Sequence, residues 1–292
     1  MKVLLAKSAG FCYGVRRAVE LAERTAEETG GCWMLGDLIH NAHVVEDLAR
    51  RGVRKAAAPD MVPEGETVLI RSHGESQEVL DALAGRGVRL VDATCPNVCR
   101  IHTLAMEAEA QGRQFILIGD PHHPETRAAA SRCRHPLVLE GAKEVDQWWE
   151  QSSKNRGIPV TLAAQTTCIR ELFETSCKII KKECTNVKIF DTICNATQTR
   201  QTEAATIAAQ ADVMVVVGDR KSANTKHLTE ICQKSCPRVY QVENAEQLSP
   251  DWFNDCSVAG LTAGASTPAC IIKEVYATMS EEIRAVEGKE ES

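Results

Sequence analysis

Several features that mark large classes of proteins are missing from this 292-residue chain. No run of lysine and arginine stands out, and the formal net charge is −6, which argues against nucleic acid or an anionic membrane as a partner. No apolar run is long enough to span a bilayer. The amino terminus, from Met1 to Lys7, is too short and too quickly charged for a secretory signal, so we expect a cytoplasmic protein.

The cysteines are also notable for what they do not form. The chain has 13 cysteines, yet no two of them stand in a Cys-x-x-Cys pair. Missing pairs argue against a zinc ribbon and against a thiol-disulfide oxidoreductase. The odd count, with no secretory signal, argues against a disulfide framework. We therefore expect thiols or metal ligands, in a globular protein whose 43% hydrophobic content is ordinary.

Three of the cysteines occupy the same place in three long repeats. Each follows a short apolar stretch typical of a buried strand, and each precedes a helical pattern. These cysteines are Cys12, Cys95 and Cys194. A further apolar strand follows each cysteine and ends in Gly-Asp. The number of residues from the cysteine to this glycine is the same in all three repeats. The glycines are Gly36, Gly119 and Gly218.

Two more polar markers recur with the repeats. Four residues beyond each glycine stands a polar side chain suited to contact a ligand, namely His40, His123 and Ser222. A later strand in each repeat ends in a small polar loop, at a less regular spacing. These loops are Ser72-His73-Gly74, Gln165-Thr166-Thr167 and Gly264-Ala265-Ser266.

Strands that alternate with helices predict an α/β fold of parallel sheets with right-handed crossovers. The repeats predict three pseudo-symmetric units, over 1–95, 96–193 and 194–292, the last with a carboxyl-terminal helix and tail. No linker rich in glycine, serine or proline marks these boundaries. Loops at the carboxyl ends of parallel strands meet on one side. A pseudo-threefold arrangement would therefore turn the three cysteines and the polar loops toward one central cavity.

Three thiolates from distant loops suit an iron-sulfur cluster. A 4Fe-4S cluster normally takes four thiolates, so three leave one iron without a protein ligand. Two alternatives remain open at this point: three buried core cysteines, or a structural cluster with Cys99 as the fourth ligand. Cys99 lies one helical turn after Cys95, but the other repeats have no cysteine there, so we interpret it as non-ligating. The other cysteines occupy no repeated position and are expected in packing or on the surface. They are Cys32, Cys133, Cys168, Cys177, Cys184, Cys232, Cys236, Cys256 and Cys270.

The polar side chains at and near the repeated loops are types that bind an oxyanion with little net charge. Imidazole, hydroxyl and amide donors come from His40, His73, Ser222, Asn224 and Ser266. Several stand at helix starts, where backbone N–H groups favour phosphate, so the set suits a diphosphate. Taken singly, each is an ordinary helix cap or a structural histidine. Their matched positions favour a shared site.

Glu125 is the one carboxylate that the sequence places near these loops. It follows His123 and Pro124, six residues after Gly119, where the third repeat has Asn224. A carboxylic acid there is suited to pass protons to a leaving hydroxyl. The alternative is a glutamate in the first turn of a helix, stabilised by the helix dipole.

Taken together, these residues resemble the 4-hydroxy-3-methylbut-2-enyl diphosphate reductase family, which catalyses the last step of the non-mevalonate isoprenoid pathway. The resemblance covers almost the whole chain. The matching stretches are Ala9-Gly-Phe-Cys12-Tyr-Gly-Val15, Ile39-His40-Asn41, Ser72-His73-Gly74, Asp92-Ala-Thr-Cys95-Pro96, His123-Pro124-Glu125, Gln165-Thr166-Thr167, Asp191-Thr-Ile-Cys194-Asn-Ala-Thr197, Ser222-Ala-Asn224 and Thr262-Ala-Gly-Ala-Ser266.

The resemblance implies a trefoil of three α/β units around one 4Fe-4S cluster, with the substrate hydroxyl at the unique iron. The implied cluster ligands are Cys12, Cys95 and Cys194. The implied diphosphate ligands are His40, His73, His123, Ser222, Asn224 and Ser266. Glu125 and Thr166 would serve proton delivery and the substrate hydroxyl, and with His123 they form the implied catalytic set.

The implied reaction is a reductive dehydroxylation that consumes two electrons and two protons. Its products would be isopentenyl diphosphate and dimethylallyl diphosphate. A reduced ferredoxin or flavodoxin is the expected electron donor, since the sequence shows no nucleotide or flavin site. The alternative is an iron-sulfur sensor of redox state or iron without turnover, which uses the same cysteines but gives no reason for Glu125. One departure from the family pattern is Ala223, where a second serine is usual.

Overall fold

A computed structural model of the chain describes residues 2–150 and 157–290, and its side chains as far as Ser280. The last residues of the expected carboxyl-terminal tail, 291–292, lie outside the described residues. The described part contains twelve strands and ten α-helices, and an α-helix separates most consecutive strands. The strands are Lys2–Leu5 (β1), Cys32–Leu35 (β2), Val53–Ala56 (β3), Thr67–Ile70 (β4), Arg89–Asp92 (β5), Gln114–Ile118 (β6), Leu137–Leu139 (β7), Val160–Ala164 (β8), Val187–Ile189 (β9), Val213–Val217 (β10), Val239–Val242 (β11) and Val258–Ala263 (β12). The helices are Tyr13–Thr29 (α1), Ala42–Arg50 (α2), Gln77–Gly85 (α3), Pro96–Ala110 (α4), Pro124–Ala130 (α5), Ala142–Glu150 (α6), Arg170–Glu183 (α7), Asn195–Ala208 (α8), Ala223–Gln233 (α9) and Ala269–Glu290 (α10).

The strands form three four-stranded sheets, and every pairing is parallel. The strand orders are β3-β2-β4-β5, β7-β6-β8-β9 and β11-β10-β12-β1. Written in this way, the three strand orders correspond, with β3, β7 and β11 as equivalent edge strands. The predicted α/β class, with parallel sheets in three similar units, is confirmed.

The chain divides into two compact units. The first comprises Met1–Val15, His40–Val44 and Asn195–Ser292, and it contains the sheet β11-β10-β12-β1. The second comprises Arg16–Ile39 and Val45–Cys194, and it contains the other two sheets. The first strand, β1, lies beside β12 and so completes the sheet formed by the carboxyl-terminal segment. The three-unit boundaries near Cys95 and Cys194 stay a prediction.

The repeat is visible in backbone hydrogen bonds. In each sheet, a glycine directly follows the strand that lies next to the edge strand β3, β7 or β11, and this glycine donates its N–H to the last residue of that edge strand. The three pairs are Gly36 to Ala56 at 3.1 Å, Gly119 to Leu139 at 2.9 Å and Gly218 to Val242 at 2.8 Å. The constant spacing of these glycines in the sequence therefore corresponds to one repeated turn at the end of a strand.

The continuous apolar strand β10 lies in the interior of its sheet. All five residues of β10 are buried. Val215 belongs to the cluster formed with Val275 and Met279 of α10, whereas Met214 packs in a cluster with residues of α8 and α9. Successive side chains of a strand point to opposite faces, so helices cover both faces of this sheet. Among the described residues, no helix combines the length and the apolar character that crossing a membrane requires.

Candidate active site

Each repeated cysteine lies between an edge strand and a helix. Cys12 directly precedes α1, Cys95 is the N-cap residue of α4, and Cys194 directly precedes α8. Each cysteine donates its backbone N–H to the polar loop after the neighbouring strand of its own sheet. The acceptors are the carbonyl oxygens of Ala265 for Cys12 at 3.1 Å, Ser72 for Cys95 at 3.0 Å and Thr166 for Cys194 at 3.0 Å. The structure thus fixes each cysteine next to one of the polar loops identified in the sequence.

The sulfur atoms of two of these cysteines accept hydrogen bonds. Cys12 Sγ accepts the backbone N–H of Val15 at 3.4 Å, and Cys194 Sγ accepts a side-chain N–H of Asn97 at 3.2 Å. All three repeated cysteines are half-buried and outside any disulfide. A helix N-terminus favours negative charge, as N–H donors do, so these positions suit thiolates. Thiolates are the usual ligands of iron-sulfur clusters, and the donor set therefore fits such a group.

The buried cysteines at unrepeated positions have a different character. Burial raises the pKa of Cys32 to about 11, and it raises the pKa values of Cys168 and Cys232 to about 12. These groups are neutral thiols at physiological pH and pack as small apolar side chains. Cys99, in contrast, is exposed on the first turn of α4. These placements support the interpretation that the unrepeated cysteines serve packing or lie at the surface.

Glu125 and Thr166 form a buried pair. Glu125 is only 2% exposed, at the second position of α5, and Thr166 lies in the loop after β8. Glu125 Oε1 accepts the backbone N–H of Thr166 at 2.7 Å, and Oε2 accepts its hydroxyl at 2.7 Å. Burial raises the pKa of Glu125, and the two hydrogen bonds from Thr166 oppose that rise. The carboxyl group is therefore shifted toward holding a proton, as a general acid requires.

His123 is the N-cap residue of α5 and contacts His73. Its Nδ1 accepts the backbone N–H of Glu125 at 3.1 Å, so the proton of the neutral ring is assigned to Nε2. The ring of His73 meets the ring of His123 edge to face, with centroids 5.2 Å apart. The second compact unit thus brings together four of the sequence-predicted residues, namely His73, His123, Glu125 and Thr166.

The other residues predicted for the diphosphate site lie in the first compact unit. Ser222 is the N-cap residue of α9, and its Oγ accepts the N–H of Thr225 at 3.3 Å. Asn224 is 4% exposed, and both polar atoms of its amide are buried without a hydrogen bond to any described residue. Ser266 Oγ donates to the backbone oxygen of His40 at 2.9 Å. Burying a polar amide without hydrogen bonds costs free energy. The buried amide of Asn224 is therefore typical of a group that binds a ligand.

Sequence reasoning assigned no role to several residues that shape these loops. Asn97, the donor to Cys194 Sγ, had no repeated counterpart to mark it. Asp92 Oδ1 accepts the N–H of Thr94 at 2.8 Å, and Asp191 Oδ1 accepts the N–H of Ile193 at 3.2 Å. These turns set the approach of the chain to the second and third cysteines. A signal for them was present, because both cysteine loops begin with aspartate three residues before the cysteine.

Comparisons with known proteins agree with the sequence resemblance. The model of the LytB protein family matches residues 3–280. A protein of Thermoanaerobacter sp. (strain X514), named 4-hydroxy-3-methylbut-2-enyl diphosphate reductase, is 35% identical and is aligned over 99% of both chains. A protein of Anaeromyxobacter sp. (strain Fw109-5) with the same name is 39% identical, over 94% of this chain and 95% of its own length.

Two solved structures extend these comparisons to the fold. One, described as (E)-4-hydroxy-3-methyl-but-2-enyl diphosphate reductase, the terminal enzyme of the non-mevalonate pathway, is 36% identical with a TM-score of 0.67, over 96% of this chain and 100% of its own. The other, an E-1-hydroxy-2-methyl-but-2-enyl-4-diphosphate reductase from Plasmodium falciparum, is 23% identical with a TM-score of 0.89, over 96% and 88%, and shows the shared fold. Because the family model and these relatives match nearly the full length, the chain belongs to the LytB protein family.

Proposed function

We propose that this protein is an oxidoreductase that removes the hydroxyl group of 4-hydroxy-3-methylbut-2-enyl diphosphate by reduction. The carbon–oxygen bond breaks and a carbon–hydrogen bond forms. Two electrons and two protons are consumed, and one proton leaves with the hydroxyl oxygen as water. The products are isopentenyl diphosphate and dimethylallyl diphosphate. The relatives named for this reductase support the proposal.

The observation that carries the proposal is the buried pair of Glu125 and Thr166 beside His123. A departing hydroxyl group needs a proton, and Glu125 is a carboxyl group whose raised pKa favours the protonated form. The hydroxyl of Thr166 lies 2.7 Å from Glu125 Oε2, within reach for transfer of a proton between them. A sensor without turnover has no use for such a pair.

Cys12, Cys95 and Cys194 would hold one 4Fe-4S cluster. When bound, such a cluster supplies electrons one at a time and, at the iron without a protein ligand, Lewis acidity. The half-buried thiols at helix starts, with N–H donors to two of the sulfurs, are the features of this chain that fit the group. A reduced ferredoxin or flavodoxin is the proposed electron donor, and the cytoplasm is the proposed location.

The diphosphate would be bound by neutral donors. The proposed donors are His40, His73, His123, Ser222, Asn224 and Ser266. The proton on Nε2 makes His123 a donor, and the buried amide of Asn224 has both its donor and its acceptor atoms uncommitted among the described residues. The start of α9 adds backbone N–H groups, which favour a phosphate oxygen.

Product analysis tests this proposal. The cluster-loaded protein is reduced chemically without oxygen and incubated with 4-hydroxy-3-methylbut-2-enyl diphosphate, and the products are separated by chromatography. The proposal expects both five-carbon diphosphates and consumption of two electrons per substrate. Intact substrate after incubation with a protein of confirmed cluster content would contradict the proposal and favour the sensor.

Restoring a serine at position 223 tests the predicted diphosphate site. Ala223 is the half-buried first residue of α9, next to Ser222. A hydroxyl there would add one neutral hydrogen bond, so Ala223→Ser should lower KM by roughly two- to twelvefold, which corresponds to about 0.5–1.5 kcal/mol. The turnover number should not change. Steady-state kinetics measure both, with Ala209→Ser at an exposed position as the control. An unchanged KM would remove position 223 from the site.

Asn97 should tune the reduction potential of the cluster. Its N–H donates to Cys194 Sγ and so stabilises the more negative, reduced state. We expect Asn97→Leu to shift the potential to more negative values by roughly 20–60 mV, the equivalent of one neutral hydrogen bond. A redox titration followed by electron paramagnetic resonance measures the shift. Thr103→Val, on the exposed face of the same helix, should leave the potential unchanged. Equal potentials in the wild type and Asn97→Leu would rule out this role.

A further inference from the structure

The chain segment that follows His73 is fastened to the far end of α5. Arg132, just past that helix, donates from Nη2 to the backbone oxygen of Glu75 at 2.9 Å and from Nη1 to the side-chain oxygen of Gln77. Ser131 Oγ accepts the backbone N–H of Gln77 at 3.0 Å. We refer to Glu75, Gln77, Ser131 and Arg132 as the loop clamp. It joins the loop after β4 in one sheet to the helix after β6 in another, within the second compact unit.

The clamped segment is also held from its own side. Glu75 is 5% exposed, and its carboxylate lies 2.6 Å from Arg71 Nε. Gly74 has a φ of +76°, and a Cβ built on it would lie 2.8 Å from the ring of His102 in α4. The backbone at Gly74 therefore packs against α4 without room for a side chain. Together with the loop clamp, this contact leaves the segment little freedom to move.

The short helix α5 links the clamp to the proposed substrate site. Its first turn carries His123 and Glu125, and the clamp residues Ser131 and Arg132 follow its last residue, Ala130. At the first turn, the ring of His123 contacts the ring of His73. One rigid element therefore touches the loop of His73 at both of its ends. The loop clamp therefore determines the position of His73 relative to His123.

We propose that Arg132 is a positioning residue for His73. This inference rests on the proposed function, in which His73 binds the diphosphate. Arg132 acts through residues 74–77, because it donates hydrogen bonds to Glu75 and Gln77. A planar guanidinium can hold both acceptors at once, whereas an ammonium group cannot match that geometry. The role therefore depends on arginine and not on positive charge alone.

The test compares Arg132→Ala and Arg132→Lys with Arg134→Ala in the cluster-loaded protein. Arg134 is a matched control, because its side chain is 84% exposed and pairs only with Glu109 among the described residues. Amide hydrogen exchange should be faster over residues 72–77 in Arg132→Ala. KM for the diphosphate substrate should rise about tenfold with the turnover number within a factor of two. Arg132→Lys should recover part of both effects, and Arg134→Ala should change neither.

The exchange measurement separates this inference from the proposed function. It reports the order of the loop whether or not the protein turns over substrate, and inorganic diphosphate gives a binding constant without any reaction. Unchanged exchange over 72–77 in Arg132→Ala, or an unchanged KM, would overturn the inference. If Arg132→Ala fails to fold, Gln77→Ala removes one bond of the clamp and should produce the same changes at smaller size. No change in Gln77→Ala would then decide against the clamp.

Discussion

Replacing Glu125 with glutamine should nearly abolish reduction and leave the cluster intact. The amide has the size of the carboxyl group and its oxygen still accepts a bond from Thr166, but it cannot release a proton. General acid catalysis is typically worth roughly 10²- to 10⁴-fold, so the turnover number should fall by about that factor. The cluster spectrum should not change, because the Glu125 carboxyl group bonds to Thr166 and, within the described part of the chain, to no cysteine sulfur. Anaerobic kinetics and absorption spectra of the same samples measure both quantities.

The pH dependence gives this prediction a second readout. Burial raises the pKa of Glu125, and the protonated form is the one proposed to act as the acid, so wild-type turnover should decline as pH rises through that raised pKa. Glu125→Gln should lack this decline. Glu78→Gln, at an exposed glutamate in the first turn of α3, is the matched control and should behave as the wild type. Normal turnover in Glu125→Gln would remove Glu125 from the mechanism.

Replacing Cys194 with alanine should prevent stable binding of a 4Fe-4S cluster and abolish turnover. Cys194 is one of three cysteines held at equivalent junctions between strand and helix, so its loss would leave two of the three proposed thiolate ligands. Iron and acid-labile sulfide per chain, measured after anaerobic reconstitution, should fall well below the wild-type values. Cys12→Ala and Cys95→Ala should give the same result.

Cys99→Ala is the matched control for the cysteine variants. Cys99 is exposed on the first turn of α4 and has no counterpart in the other repeats, so its replacement should leave iron content and turnover unchanged. Loss of the cluster in Cys99→Ala would contradict the assignment of three ligands. That result would favour a structural cluster with four thiolates and no open iron.

Much of the fold was predictable because its signals are local. The continuous apolar run of β10 and the Gly-Asp turn after it mark a buried parallel strand in the sequence itself. The pairing of β1 with β12 had no such signal. These strands lie at opposite ends of the chain, and their register is set by packing in the folded sheet. The repeat alone therefore placed β1 with the segment that follows it.

Some residues of the candidate site were likewise predictable from the sequence, and others were not. The resemblance assigned Glu125 and Thr166 to proton delivery and the substrate hydroxyl, and in the structure the Thr166 hydroxyl lies 2.7 Å from Glu125 Oε2. Asn97 and Arg132 were not predicted, because their contacts depend on how the loops of two different sheets meet. No periodicity or helix-capping pattern encodes such a meeting. The sequence therefore indicated which residues belong to the candidate site. The contacts that orient those residues required the three-dimensional structure.

A viologen assay shows directly whether the cluster-loaded protein reduces an allylic diphosphate. A chemically reduced viologen is mixed anaerobically with the reconstituted protein, and its oxidation is followed with and without 4-hydroxy-3-methylbut-2-enyl diphosphate. We expect oxidation that requires both the substrate and the cluster, with two viologen molecules oxidised per product formed. No substrate-dependent oxidation by a protein with a confirmed cluster would contradict it.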